Sequence, residues 1–164
     1  MKIFDTSSII CIFREIRFPK ALDICMKRGY QITTTQQVFD EITKNPDTLR
    51  EFTAYGKFTS IPVNDDPCFK MLSKRYPWLH SGEISVLCFG LQKQREHARY
   101  YCIIDERART LNDKLGIRIH GTVGLLLWQK DRRELSSGEC HDLYNRFIES
   151  SFRITEEILT GLIR

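Results

Sequence analysis

Short apolar runs alternate with segments of helical spacing along the whole chain, and this alternation restricts the architecture more than any other feature. It points to an α/β fold with a mainly parallel sheet of about five strands, since parallel strands need crossovers and helices are the usual ones. Lys2-Ile3-Phe4 reads as the first strand, followed by N-cap candidates in Asp5-Thr6-Ser7-Ser8 and by Ile9, Ile12, Phe13 and Ile16 at helical spacing. A second helix opens at Pro19 and closes at Gly29. Gln31-Ile32-Thr33 follows as a strand, and Thr34 with Gln37 offers a capping box for a helix carrying Val38, Glu41 and Ile42. Lys57–Val63 is the third strand, Pro67 starts a helix, and Ser81 caps another with Glu83 in its first turn. Tyr100-Tyr101-Cys102-Ile103-Ile104 is the most strand-like run and stops abruptly at Asp105-Glu106. A short helix with Ala108, Leu111 and Leu115 ends at Gly116, Ile117–His120 is the fifth strand, and Gly121–Gly124 turns into a helix over Leu125–Lys130. Two further helices follow Ser136, with its partner Glu139, and Thr155.

With 164 residues and no linker or repeat, residues 1–164 form one domain, and 135–164 form a helical extension packed on it. Hydrophobic residues at 41% and charged residues at 28% exclude disorder, and no apolar run is long enough to span a bilayer. The opening Met1-Lys2-Ile3-Phe4-Asp5 meets an acid before a signal-peptide core can form, and six cysteines without a Cys-x-x-Cys pair fit buried, reduced thiols; both point to a cytoplasmic protein. The net charge is +4, and residues 93–118 alone contribute +3, a basic stretch that surrounds Asp105 in the sequence.

Four acids stand where acids need a reason. Asp5 and Asp105 follow directly on apolar strands, and in open parallel sheets the carboxyl ends of the strands face the usual ligand site. Glu41 borders the buried stripe of its helix, and Glu83 lies in a first helical turn behind Gly82. Taken singly, capping and dipole effects explain each one. Brought together, like charges about 5 Å apart would repel by roughly 3 kcal/mol per pair at an effective dielectric near 20, so the set would need a cation or a proton. An all-oxygen donor set suits Mg²⁺ or Mn²⁺ rather than zinc. Arg107 and Arg109 are placed to hold phosphates beside the acids, while Thr6, Ser7 and Thr122 sit on nearby turns within reach of substrate, where helix capping is their other explanation. Gly121-Thr122-Val123-Gly124 lacks the lysine of a phosphate-binding loop, Cys140-His141 is too isolated for zinc, and no Gly-x-Ser-x-Gly elbow is present.

The order of these elements resembles the PIN-domain family, which includes VapC-like toxin ribonucleases. Lys2-Ile3-Phe4-Asp5-Thr6-Ser7-Ser8 is similar to the family's first acidic motif, and Val38-Phe39-Asp40-Glu41-Ile42 to its second. Ser81-Gly82-Glu83-Ile84 resembles the Gly-Glu motif of one prokaryotic branch, as do Ile103–Arg109 with Gly116-Ile117 and His120–Gly124, and Phe152-Arg153-Ile154-Thr155 before the final helix. That branch often has a second aspartate where this chain has Glu106. The resemblance implies a three-layer α/β/α sandwich and a metal site of Asp5, Glu41, Glu83 and Asp105 holding Mg²⁺ or Mn²⁺. It also implies hydrolysis of RNA phosphodiesters by metal-activated water, leaving a 5′-phosphate. A homodimer using Phe13, Phe18, Trp128 and Phe152, and an antitoxin protein as partner, belong to the same expectation. The alternative is a PIN-like module that binds RNA or a protein without useful catalysis.

Overall fold

Five short parallel strands form one sheet: β1 (Lys2–Phe4), β2 (Ile32–Thr35), β3 (Thr59–Ile61), β4 (Tyr101–Ile103) and β5 (Ile119–His120), in the order β3-β2-β1-β4-β5. The computed structural model describes every residue except Asn64, Asp65 and Glu106, together with the side chain of Arg107, so the expectations for Glu106 and for the Arg107 side chain lie outside the described residues. Around the sheet lie α1 (Thr6–Ile10), α2 (Lys20–Lys27), α3 (Gln36–Ile42), α4 (Pro46–Tyr55), α5 (Asp66–Arg75), α6 (Ser81–Arg95), α7 (Asn112–Leu115), α8 (Thr122–Asp131), α9 (Ser137–Glu149) and α10 (Glu156–Ile163).

The two faces of the sheet are distinguished by the alternation of side chains along β1 and β4. Ile3 pairs with Cys102, whose thiol reaches the Val86 carbonyl at 3.7 Å, so these residues face α6. Lys2 pairs with Tyr101, and the Lys2 ammonium lies against Trp128, so the opposite face meets α8. Gly90 lets α6 approach: a Cβ there would stand 2.6 Å from the Cys102 sulfur. Behind α2 and α8, a second apolar cluster joins Ala21, Ile24, Val123 and Leu126 to Leu143 and Phe147 of α9 and to Leu159 and Leu162 of α10. The result is the expected three-layer sandwich.

Boundaries moved where residue chemistry was neutral. β2 runs on to Thr35, which is the N-cap of α3 and accepts from the Val38 N–H at 3.3 Å, while the Thr34 hydroxyl donates to the Phe4 carbonyl. Threonine suits a strand and a cap equally, so Ile32–Thr35 carries no internal mark of the transition. β3 and β5 lie at the sheet edges and are shorter than expected. Two helices start earlier than expected, α6 after His80 and α8 at Thr122 directly after Gly121. The segment after Glu106 divides into a 3₁₀ turn (Arg107–Leu111) and α7. Helix α4 was not anticipated, although Asn45 caps it, Pro46 opens it and Gly56 closes it at φ +64°; its narrow apolar stripe, Leu49 and Phe52, hid those signals. The helix after Asp5 widens into a π turn over Cys11–Glu15, closed by the Ile16 N–H on the Cys11 carbonyl at 2.9 Å.

The cysteines correct one expectation. Packing of α5 on α6 joins Cys68 and Cys88 in a disulfide across a sequence separation of 20, while Cys11, Cys25, Cys102 and Cys140 are free and buried. The spacing of isolated cysteines contains no information on such a pairing. Of the four apolar residues expected at a dimer interface, Phe13 is in the core, while Phe18 on the second cluster, Trp128 beside Lys2 and Phe152 against Phe147 are half-buried. No helix among the described residues is long and apolar enough to cross a membrane.

Candidate active site

The first connection leaves β1 toward β2, while the chain returns from β3 to place β4 on the other side of β1. The topological switch therefore lies between β1 and β4, and a crevice opens there beyond the carboxyl ends of the two strands. Asp5 and Asp105 stand at this point. The backbone is tied across it by the Asp5 N–H on the Ile103 carbonyl at 3.1 Å. A cavity of about 770 Å³ opens on it, lined by Asp5, Thr6, Ser7, Glu15, Glu41, His80, Glu83, Asp105 and Arg109 among others. All four acids singled out in the sequence thus face one cavity.

Each acid is held by hydrogen-bond donors, some local and some from other elements. Asp5 caps α1, accepting from the Ser8 N–H at 2.8 Å and from the Ser7 hydroxyl at 2.6 Å. The capping explanation is therefore correct for Asp5, and it coexists with a place in the cavity. Burial, and then the charge of Asp105, push the Asp5 carboxyl up to about 7. Glu41 reaches across from α3 to the start of α6, where it accepts from the Gly82 N–H at 2.7 Å and the Ser81 hydroxyl at 2.8 Å, and from the Thr6 hydroxyl. Glu83 turns back to the His80 N–H at 2.9 Å. Asp105 accepts from the Thr122 N–H at 2.5 Å and from the Thr122 hydroxyl at the head of α8.

These bonds assign the small residues. Ser7 and Thr6 line the cavity and hold Asp5 and Glu41 respectively. Thr122 departs from expectation: it is fully buried and engaged by Asp105, so it positions that acid rather than meeting substrate. Gly82 has a purpose the sequence did not disclose. A Cβ there would collide with a Glu41 carboxylate oxygen and stand 3.0 Å from the Thr6 hydroxyl. Gly82→Ala should therefore displace the Glu41 carboxylate with the fold retained. A structure of the variant beside a urea melt checks this, and an unmoved Glu41 would show that the close approach at Gly82 does not set its position. Gly121 is similar, with a Cβ falling 2.9 Å from Asp105 and 3.1 Å from the Arg109 guanidinium.

The basic stretch does not surround Asp105 as expected. Arg109 lines the cavity, but Arg99 and Arg118 precede β4 and β5 and so lie at the other end of the strands. A different cation takes part instead: Arg153, with Ser151 and Phe152, supplies a wall of the cavity from the segment after α9. That segment is fastened to the π turn, where Glu15 accepts from the Ser151 N–H at 3.2 Å and hydroxyl at 3.0 Å, and Arg146 donates to the Ile16 carbonyl at 2.8 Å. Glu15, His80, Ser151 and Arg153 were missed as cavity residues. For Glu15 the only sequence signal would have been an acid one helical step from Ile12 and Ile16, and the π turn changes that spacing.

A family model described as a PIN domain matches residues 1–164, the whole chain. The chain belongs to the PIN-domain family. Comparison with curated proteins and with solved structures returns no match. PIN domains are in general nucleases, and they generally work with divalent metal ions. The four acids on the cavity offer carboxylate oxygens, which suit a hard cation. The Asp5 carboxyl is raised first by burial and then by the Asp105 charge, and a bound cation would relieve the second of these. Among the described residues no three acid, histidine or cysteine side chains close on a single point, so the four acids line a cleft that binding would have to draw together.

Proposed function

We propose that this PIN domain is a divalent-metal-dependent endoribonuclease of the VapC-like kind. The observation that carries the reading is the convergence of Asp5 and Asp105 at the switch point with Glu41 and Glu83 on the same cavity. These four would hold Mg²⁺ or Mn²⁺, which when bound lowers the pKa of an attacking water and stabilises charge developing on the phosphate. The chain's own contribution is to hold each acid on the cleft by hydrogen bonds, from which binding would draw the four together. Thr122 fixes both oxygens of Asp105, the start of α6 and Thr6 fix those of Glu41, and Ser7 and Ser8 fix those of Asp5. Arg109 and Arg153 line the same cavity and supply the positive charge that an RNA phosphate needs beside an anionic floor. RNA, rather than DNA, follows from the resemblance to ribonucleases.

The test is cleavage of single-stranded RNA and of DNA of the same sequence, with Mn²⁺ or with EDTA, by wild type and by Asp105→Asn. Metal-dependent RNA cleavage that the variant lacks is the expected result; equal rates for the two proteins would remove the metal-site reading. Arg109→Ala should bind RNA more weakly, with a shallower salt dependence, by about 0.7 in slope for one phosphate contact on a single strand. Fluorescence anisotropy across a salt series measures it.

A further inference from the structure

The amino-end edge of the sheet gathers basic side chains, as the carboxyl-end edge gathers acids. Lys2 opens β1 and Tyr101 opens β4, while Arg118 directly precedes β5. The Lys2 side chain is buried, with its ammonium 4.8, 4.4 and 4.5 Å from the ring centres of Tyr30, Tyr101 and Trp128. Each of these rings also carries an arginine: Arg99 on Tyr30 at 4.8 Å, Arg118 on Tyr101 at 5.8 Å and Arg132 on Trp128 at 5.1 Å. Through the shared rings, no guanidinium carbon can lie more than about 10 Å from the Lys2 ammonium. The Met1 amino group adds a fifth cation, donating to the Arg99 carbonyl at 2.9 Å.

This charge is unbalanced. Among the described residues no ion pair joins any of the five to a carboxylate, and the neighbouring Glu134 is engaged by Lys27 and Arg28. The carboxyl ends of α2 and α8 lie here, but a helix end carries only about half a negative charge. Mutual repulsion is visible in the groups that titrate. Burial, and then Lys2 and Arg99, lower the Met1 amine, and burial, with Arg99 and Arg132 adding to it, brings Lys2 down to about 8. Cleavage chemistry at the cleft uses none of these residues.

We infer that this edge is a second, non-catalytic surface for the RNA phosphate backbone, so that the substrate is an RNA long or folded enough to reach both edges of the sheet. The inference rests on the nuclease reading above. Each ring already binds two cations, which leaves guanidinium groups rather than open ring faces for a ligand, and guanidinium forks match phosphate oxygens in pairs. Recognition is therefore of backbone and not of base. The edges lie at opposite ends of the strands with helices covering both faces between them, so the surface path from one to the other is longer than the roughly 10 Å of backbone in β1 and calls for an RNA that continues around the sheet.

The test uses Arg118→Gln/Arg132→Gln, which leaves Lys2 in its ring cage and Arg99 bonded to the Tyr30 hydroxyl. Binding of a long RNA (about 30 nucleotides) and of a short one (about 6, near the lower limit of a single-strand site) is measured in EDTA across a salt series. The double variant should bind the long RNA about tenfold more weakly, with a slope shallower by about 1.4 for two lost phosphate contacts, and the short RNA as wild type does. With Mn²⁺, its KM for the long RNA should rise while kcat, and all cleavage of the short RNA, stay as in wild type. Arg118→Lys/Arg132→Lys keeps the charge and should restore the slope, which separates charge from folding. Unchanged long-RNA affinity and slope, in a wild type that cleaves, would overturn the second surface and leave the nuclease standing. Binding at this edge of polyglutamate but not RNA would overturn it in favour of an acidic protein partner. A wild type that neither binds nor cleaves RNA would remove both readings.

Discussion

Without divalent metal at pH 7, Asp5→Asn should unfold at a higher temperature than wild type, and with Mn²⁺ it should cleave no RNA. Both effects come from the same carboxyl. Asp5 is buried, and burial with the Asp105 charge raises it from 3.8 to about 7. A carboxyl raised on folding binds more protons in the native state than in the unfolded chain over pH 4–7, so its contribution to stability is complete below pH 4 and is lost as pH rises through that window. Three units correspond to roughly 4 kcal/mol, an upper measure of what asparagine recovers at pH 7. The shape is kept, since the side-chain oxygen still accepts from the Ser8 N–H and the Ser7 hydroxyl can accept from the new amide. Thermal melts at intervals from pH 4 to 7.5 should show wild type losing stability relative to the variant as pH rises. Parallel curves would mean that Asp5 is ionised without strain, and the argument for a charge-burdened site would go with it.

What the sequence disclosed about this site followed physical visibility. Asp5 and Asp105 were legible because an apolar strand that ends in an acid is a sharp local discontinuity, and the parallel topology places such ends together. Glu41 and Glu83 were legible only as an acid bordering a buried stripe and an acid in a first helical turn, and the family resemblance alone joined them to the site, for nothing in their helices marks which cavity they face. The partners that hold them were not legible. Thr122 stands 17 residues from Asp105, and Gly82 stands 41 from Glu41, so their bonds exist only once β4, α8, α3 and α6 have packed. Arg153 belongs to the cavity because Glu15 and Arg146 fasten the tail to a π turn, an irregularity without a periodic signature. The basic stretch misled for the opposite reason. Sequence proximity set Arg99 and Arg118 beside Asp105, whereas β4 and β5 carry the chain from one edge of the sheet to the other and part them.

That separation of charge sets the second large effect, the response to metal. An ion that binds only the native cleft stabilises it by RT ln(1 + [L]/Kd), about 2.7 kcal/mol at a hundredfold excess over Kd. For a chain of this size each kcal/mol moves Tm by about 2–4 °C, so wild type with Mn²⁺ should melt about 5–10 °C higher. Asp105→Asn should lose most of that shift: it removes a charge from the switch point and leaves an amide group facing the Thr122 N–H and hydroxyl, which both donate to Asp105. Arg118→Gln/Arg132→Gln, at the far edge, should keep the full shift, because about 10 Å of strand lies between and salt screens exposed charges over that distance. The order of the three proteins with and without Mn²⁺ therefore distinguishes a bound ion from general ionic strength, which would move all of them alike. An equal shift in wild type and Asp105→Asn, or none in either, would show that the four acids do not act as one site. A shift confined to proteins with Asp105 intact would tie metal, fold stability and cleavage to the crevice between β1 and β4.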